Sequence, residues 1–207
     1  MNRSAALLMS DYELMQWAGI VAGGVVFLLI VFAFVRFARG HSATWPETAK
    51  ALNLTLDVDE KGSAWTNSWS RTTLKGTHLG VELLAVATRE VVGRRRTTSC
   101  AVTAAVAGAQ KTFRFDATKN RPKSTDTLVK SGSPKFDAAR WVEGAPEEAV
   151  RLVLTQKVRD ALLACDHWTV RVVGTGAQVI VSTGELPSSP AELQALITVA
   201  VLVAAGQ

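Results

Sequence analysis

Nineteen consecutive residues, Trp17 to Val35 (WAGIVAGGVVFLLIVFAFV), carry no charge. At about 1.5 Å of rise per residue such a helix is about 28 Å long, close to the roughly 30 Å hydrocarbon core of a bilayer. The run predicts a transmembrane helix over residues 17–37, with the lipid bilayer as its partner through Trp17 to Val35. A tail, residues 1–16, precedes it; a linker, residues 38–44, leads to a soluble α+β domain over residues 45–207. The apolar core of a secretory signal is shorter, about 7 to 15 residues behind a basic segment. Here Asp11 and Glu13 come first, and Arg36 and Arg39 crowd the small-residue site at Ala38-Arg39-Gly40, so retention is expected.

Flanking charge sets the expected orientation, because Lys and Arg collect on the cytoplasmic side. Only Arg3 precedes the run, whereas Arg36, Arg39 and Lys50 follow it, which puts the N-terminus outside and the main domain in the cytoplasm. Gly19 and Gly23 form a G-x-x-x-G pair. Small residues four apart let two helix backbones approach closely, which makes this face a candidate for self-association into a homodimer.

The formal net charge is +5, and from Arg36 onward 22 basic residues stand against 16 acidic ones. That excess suits residence beside anionic lipid and is too dilute to imply nucleic acid by itself. The two cysteines, Cys100 and Cys165, are too few for a disulfide scaffold and lack C-x-x-C spacing. Two buried small apolar residues is the expected role, with one disulfide left open should the domain face an oxidising compartment.

Trp45-Pro46-Glu47 predicts a helix start, and Trp45, Ala49 and Leu52 share one face of that helix. From Leu54 the period changes to two: Leu54, Leu56 and Val58 alternate with polar residues, and weaker alternation follows over Leu79 to Ala87 and Ser99 to Val106. Val81 to Val92 and Thr97 to Val106 read as a long central hairpin turning at Gly93-Arg94-Arg95-Arg96, with a short strand at Thr112 to Asp116. Closely spaced strands pair as an antiparallel meander. Ala117 to Lys135 reads as a lysine-rich loop, and Phe136 to Val142 as a strand-like piece. Pro146 to Cys165 repeats at helical spacing, Trp168 to Val173 and Ala177 to Ser182 form a second hairpin, and Ser189-Pro190-Ala191-Glu192 is a capping box. The apolar run Ala195 to Ala205 behind that box is too short to span lipid and reads as a buried core helix. The expected fold class is thus α+β: one N-terminal transmembrane helix, then a mainly antiparallel sheet packed with three helices.

No catalytic residue, metal ligand or cofactor site emerges. Asp57 to Gly62 begins like a calcium loop, but Lys61 and Ser68 occupy positions that need an oxygen ligand and a bidentate Glu, so it reads as a charged turn. Cys165-Asp166-His167 sets a thiol near an imidazole, yet residues two apart on a helix project from different faces. His41, His78 and His167 read as surface or core histidines. Gly174-x-Gly176 lacks a third glycine and a following helix, so it is a turn and not a phosphate loop.

Arg94, Arg95 and Arg96, with Arg89 on the same hairpin, are the densest positive feature. They read either as a solvated turn or as a contact with anionic lipid or an acidic protein, at roughly 1 kcal/mol per basic residue near a charged leaflet. Nucleic acid is disfavoured, because stacking platforms need aromatic residues among the charges and none lies between Leu79 and Gln110.

Phe136-Asp137, Gly144, Ala149, Leu152-Val153-Leu154-Thr155 and Arg159-Asp160-Ala161-Leu162-Leu163 form a pattern of F-D, G, L-T and R-x-x-L. In this the chain resembles uncharacterised bacterial single-pass membrane-anchored proteins with a β-rich segment before those motifs. Those proteins often carry Pro after the L-T pair, where this chain has Gln156. The resemblance implies architecture and a bacterial inner-membrane setting, and no activity. The expectation is a cytoplasmic domain that binds a protein partner or the membrane surface; the rival is a tethered enzyme whose site is scattered in sequence. A cleft of converging polar groups with shifted pKa values would favour the rival, an exposed basic or apolar patch the first.

Overall fold

The structure, a computed structural model, describes residues 27, 44–62, 67–106, 108, 111–121 and 128–206. The chain divides into two compact units, Met1–Gly40 and His41–Gln207, and of the first only Phe27 is described, helical and exposed. Gly19, Gly23, His41 and the rest of the run from Trp17 to Val35 lie outside the described residues. The expected fold class is corrected in its membrane part: among the described residues no helix is long and apolar enough to cross a membrane. The number of helices is corrected too: the described residues of the domain form five, not three.

Helix α1, residues 44–52, buries Trp45 and Ala49 on the face their spacing predicts, and Asn53, at a φ of 54°, ends it. The next four strands form an antiparallel meander: β1 (Thr55–Gly62), β2 (Asn67–His78), β3 (Val81–Val92) and β4 (Arg95–Ala105). The expected calcium-like turn at Asp57 to Gly62 is therefore part of β1. Strand β2 was not foreseen, because of the residues whose burial is described in NSWSRTTLKGTH only Leu74 is fully buried and the apolar alternation is too faint to read.

After β5 (Phe113–Thr118) come α2 (Pro134–Ala139), β6 (Trp141–Ala145), α3 (Glu147–Val153), α4 (Gln156–Ala164), β7 (Thr169–Gly174), β8 (Gln178–Thr183) and α5 (Pro190–Ala204). The meander does not continue from β4 to β5. Strand β8 pairs with β4, giving one eight-stranded sheet in the order β1-β2-β3-β4-β8-β7-β5-β6. A single lateral row crosses all eight strands: Leu56, Leu74, Ala85, Val102, Val181, Val172, Phe115 and Gly144. Burial of each of the larger members contributes about 1.5–3 kcal/mol, so the register that keeps this row on one face is strongly specified.

The helices cover that face. Helix α5 packs on β3, β4 and β8 and against α4, which is why it is apolar nearly all round: Leu193, Leu196, Ile197, Val199 and Ala200 are all buried. The strand-like reading of Phe136 to Val142 is corrected to the end of α2 followed by β6, with Phe136 buried in the helix. The expected single helix from Pro146 to Cys165 is broken in two. Leu154 leaves helical geometry, Thr155 accepts a bond from the Val158 N–H as the cap of α4, and Arg159 Nη1 donates to the Leu154 carbonyl at 2.8 Å.

Candidate functional site

The antiparallel register brings the ends of separate strands to one end of the sheet. Cys100 on β4 pairs with Thr183 at the end of β8, Ser182 with Arg171 near the start of β7, and Thr118 at the end of β5 with both Thr169 and Trp141. The β3–β4 turn, the exit of β8 and the starts of β7 and β6 thus all face the same way. Arg95 to Ser99 extend past the last pairing with β8, about 17 Å of strand at about 3.4 Å per residue. The part of the sheet made by β1, β2, β3 and β4 therefore stands out as a projection beside a lower shoulder formed by β8, β7, β5 and β6.

Arg94 lies in the turn of that projection, while Arg95 and Arg96 open β4 opposite Val92 and Val91. All three are exposed, and none has a side-chain hydrogen bond or ion pair among the described residues. The shoulder holds two tryptophans with cations over them. Arg121 and Lys130 lie 5.5 and 5.6 Å from the centroid of Trp141, and Lys119 Nζ lies 5.9 Å from that of Trp168, which is 59% exposed. Lys119 also donates to Asp166 Oδ1 at 2.5 Å and to the Asp166 carbonyl at 2.8 Å; that bond holds the Asp166 carboxyl below its usual range.

None of these five shoulder residues was singled out from the sequence. The lysine-rich character of residues 117–135 was the available signal, but its nearness to the arginine triplet depends on β8 pairing with β4. The same pairing removes the argument from missing aromatics: tryptophans absent between Leu79 and Gln110 arrive from β6 and the start of β7.

Behind the shoulder lies a buried polar knot. Arg140, which caps α2, donates to the carbonyls of His167 at 2.7 Å, Leu162 at 3.3 Å and Cys165, so one guanidinium satisfies the open C-terminal end of α4. Glu192 in the first turn of α5 accepts from Ser188 N at 2.7 Å and Ser188 Oγ at 2.9 Å, and its own N–H donates to Ser189 Oγ. The capping box read from the sequence is thus formed, shifted by one residue on the carboxylate side. His167 is buried beside it, and burial lowers its pKa more than Glu192 and Glu185 raise it.

A cleft of ≈ 210 Å³ opens over His167 between Trp168, Thr169, Thr183, Gly184 and Glu185. It has converging polar groups and one shifted pKa, the signature set for the enzyme reading, but no activated nucleophile. Thr183 Oγ1 donates to the Glu185 carbonyl, and Cys165 Sγ to the Ala161 carbonyl. Burial pushes both thiols up to about 12, Glu192 adding to the effect, so Cys100 and Cys165 are protonated, unreactive and free of each other. Among the described residues no group of His, Cys, Asp and Glu could hold a metal ion. An apolar cleft of ≈ 280 Å³ at the opposite end of the sheet, between Phe113, Leu152, Val153 and Leu202, carries only Lys111 as a charged group.

No family model matches the chain, and no curated protein matches it. Among solved structures it is similar to the crystal structure of the mycobacterial trehalose monomycolate transport factor A, TtfA, at 11% sequence identity and a TM-score of 0.44, over 79% of this chain and 94% of that chain. A likeness of that size transfers neither residue roles nor function.

Proposed function

We propose that this chain is a binding domain that engages a negatively charged surface, a membrane or an acidic protein, through the strand end carrying Arg94, Arg95 and Arg96. A setting at the inner face of a bacterial membrane belongs to the same proposal. The observation that carries it is the gathering of Arg94, Arg95, Arg96, Lys119, Arg121 and Lys130 at one end of the sheet, where among the described residues only Lys119 is matched by a carboxylate. Elsewhere two exposed cations are paired: Arg171 Nε bonds Asp116 Oδ1 at 2.8 Å and Arg151 bonds Glu147 at 2.6 Å. Unpaired surface cations keep their field for an outside partner, and a clustered field raises association rates and affinity for an anionic surface.

The test is salt-dependent retention of the full-length chain on immobilised polyglutamate and on anionic vesicles. Retention on at least one, lost above a few hundred millimolar salt and lost when all three arginines become glutamate, supports the reading. Retention on neither, or retention indifferent to the arginines, removes it.

A further inference from the structure

Which negatively charged surface fits this end of the sheet is decided by the tryptophans. We infer that the shoulder of β5, β6 and β7 is a docking surface for an anionic lipid bilayer, with the Trp168 indole seated at the headgroup level and Arg121, Lys130 and the arginine triplet on lipid phosphates. This rests on the reading just given and narrows its partner to one kind.

The fold spends an exposed indole at this place for no internal gain. Trp168 is the residue next to the buried His167, it is 59% exposed, and among the described residues its ring partner is Lys119, 5.9 Å away. Trp141, one strand pair from Thr118, is half-buried and is flanked by Arg121 and Lys130 on the same shoulder. Indole beside ammonium or guanidinium is the combination favoured at the membrane interface, where the ring sits among headgroups and glycerol while the cations meet phosphate. An acidic protein surface would use the cations and leave the exposed indole idle. A single nucleic acid strand would use both, but it needs a continuous basic track between stacking rings. Here the ground between Trp168 and the arginine projection is the cleft edged by Thr183, Gly184 and Glu185, and Glu185 repels phosphate along that path. A bilayer is contacted at separate points and needs no such track.

The experiment uses the full-length chain added to vesicles of phosphatidylcholine alone or with phosphatidylglycerol, each carrying brominated acyl chains close to the headgroup. The fluorescence quenched in the wild type but not in Trp168→Phe isolates this ring from the chain's other tryptophans, including Trp17. We expect that difference in phosphatidylglycerol vesicles and not in phosphatidylcholine alone. Vesicle affinity should fall about fivefold for each of Arg94→Ala, Arg95→Ala and Arg96→Ala, roughly a hundredfold together. Trp168→Phe should keep the wild-type melting temperature and polyglutamate retention. Arg121→Ala with Lys130→Ala provides a second variant that leaves both indoles in place and should weaken binding to anionic vesicles.

Salt-sensitive retention on polyglutamate with no Trp168-dependent quenching overturns this inference while leaving the broader reading standing. Failure to bind either surface overturns both. Equal quenching in neutral and anionic vesicles, or tighter binding of a single-stranded oligonucleotide than of anionic vesicles, overturns the bilayer as partner.

Discussion

His167 and Glu192 meet in the interior, Nε2 3.3 Å from Oε1, with side chains only 4% and 6% exposed. The contact is close but poorly aligned, and His167 Nε2 has no hydrogen-bond partner among the described residues. Burial accordingly outweighs the attraction of Glu192 and Glu185, with Arg140 acting in the same direction as burial and Asp166 against it. The folded pKa lies below the unfolded value of about 6.5, so below that pH the unfolded chain binds the extra proton. Stability is fully present above about pH 6.5 and is lost as the pH falls toward the folded pKa, at up to about 1.4 kcal/mol per pH unit. Urea unfolding between pH 7.5 and 5.5 should show this slope, and His167→Phe should flatten it; an unchanged slope would assign the acid sensitivity to another group.

Arg140 is only 3% exposed and gives its donors to three carbonyls at the junction of α4 and β7. Arg140→Met removes the guanidinium from the buried Cys165 and His167 carbonyls, while Leu162 keeps the Cys165 N–H, which should cost about 2–4 kcal/mol. Arg140→Lys supplies a point charge without the planar fork and should recover only part of that loss. Equilibrium unfolding of the three forms tests the order; equal stability of Met and Arg would mean that water replaces the guanidinium.

Two glycines sit where the sheet has no room for a methyl group. A Cβ at Gly174 would lie 2.3 Å from Phe113 Cε1, and one at Gly144 would lie 2.6 Å from the Arg114 carbonyl oxygen. Overpacking of this kind costs about 1–3 kcal/mol. Gly174→Ala presses on a side chain, so Phe113→Leu in the same chain should restore part of the loss. Gly144→Ala presses on backbone, and no single side-chain change should rescue it. Thermal melts of the paired variants distinguish the two cases.

With both thiols raised to about 12 by burial, neither cysteine should react with a disulfide reagent at pH 8 in the native state, and both should react in denaturant. Thiol counting with and without urea checks this. One fast native thiol would show that Cys100 or Cys165 is reached by local opening.

Much of the domain was legible along the chain because its signals are local. Alternation marked β1, β3, β4 and the β7–β8 hairpin; Ser189 to Glu192 announced α5; and the apolar continuity of Ala195 to Ala205 marked it as buried. Strand β2 stayed hidden because Arg71, Thr72 and Thr73 contribute no apolar alternation and their pairing depends on β1 and β3. The division of α3 from α4 was equally unreadable. It is made by the Arg159 contacts to the Leu154 carbonyl and the Ser131 carbonyl, the second of which comes from a distant loop.

The arginine triplet and its exposure at a hairpin turn were set by neighbouring residues alone, since a turn of Gly and three arginines has nowhere else to go. What the triplet faces was decided by tertiary structure. Only when β8 pairs with β4 do Trp168, Lys119, Arg121, Lys130 and Trp141 come to the same end of the sheet. That pairing is non-local, chosen by how Val102 and Val181 bury beneath α5 while the row continues through Val172 and Phe115, and no short-range pattern in the chain encodes it.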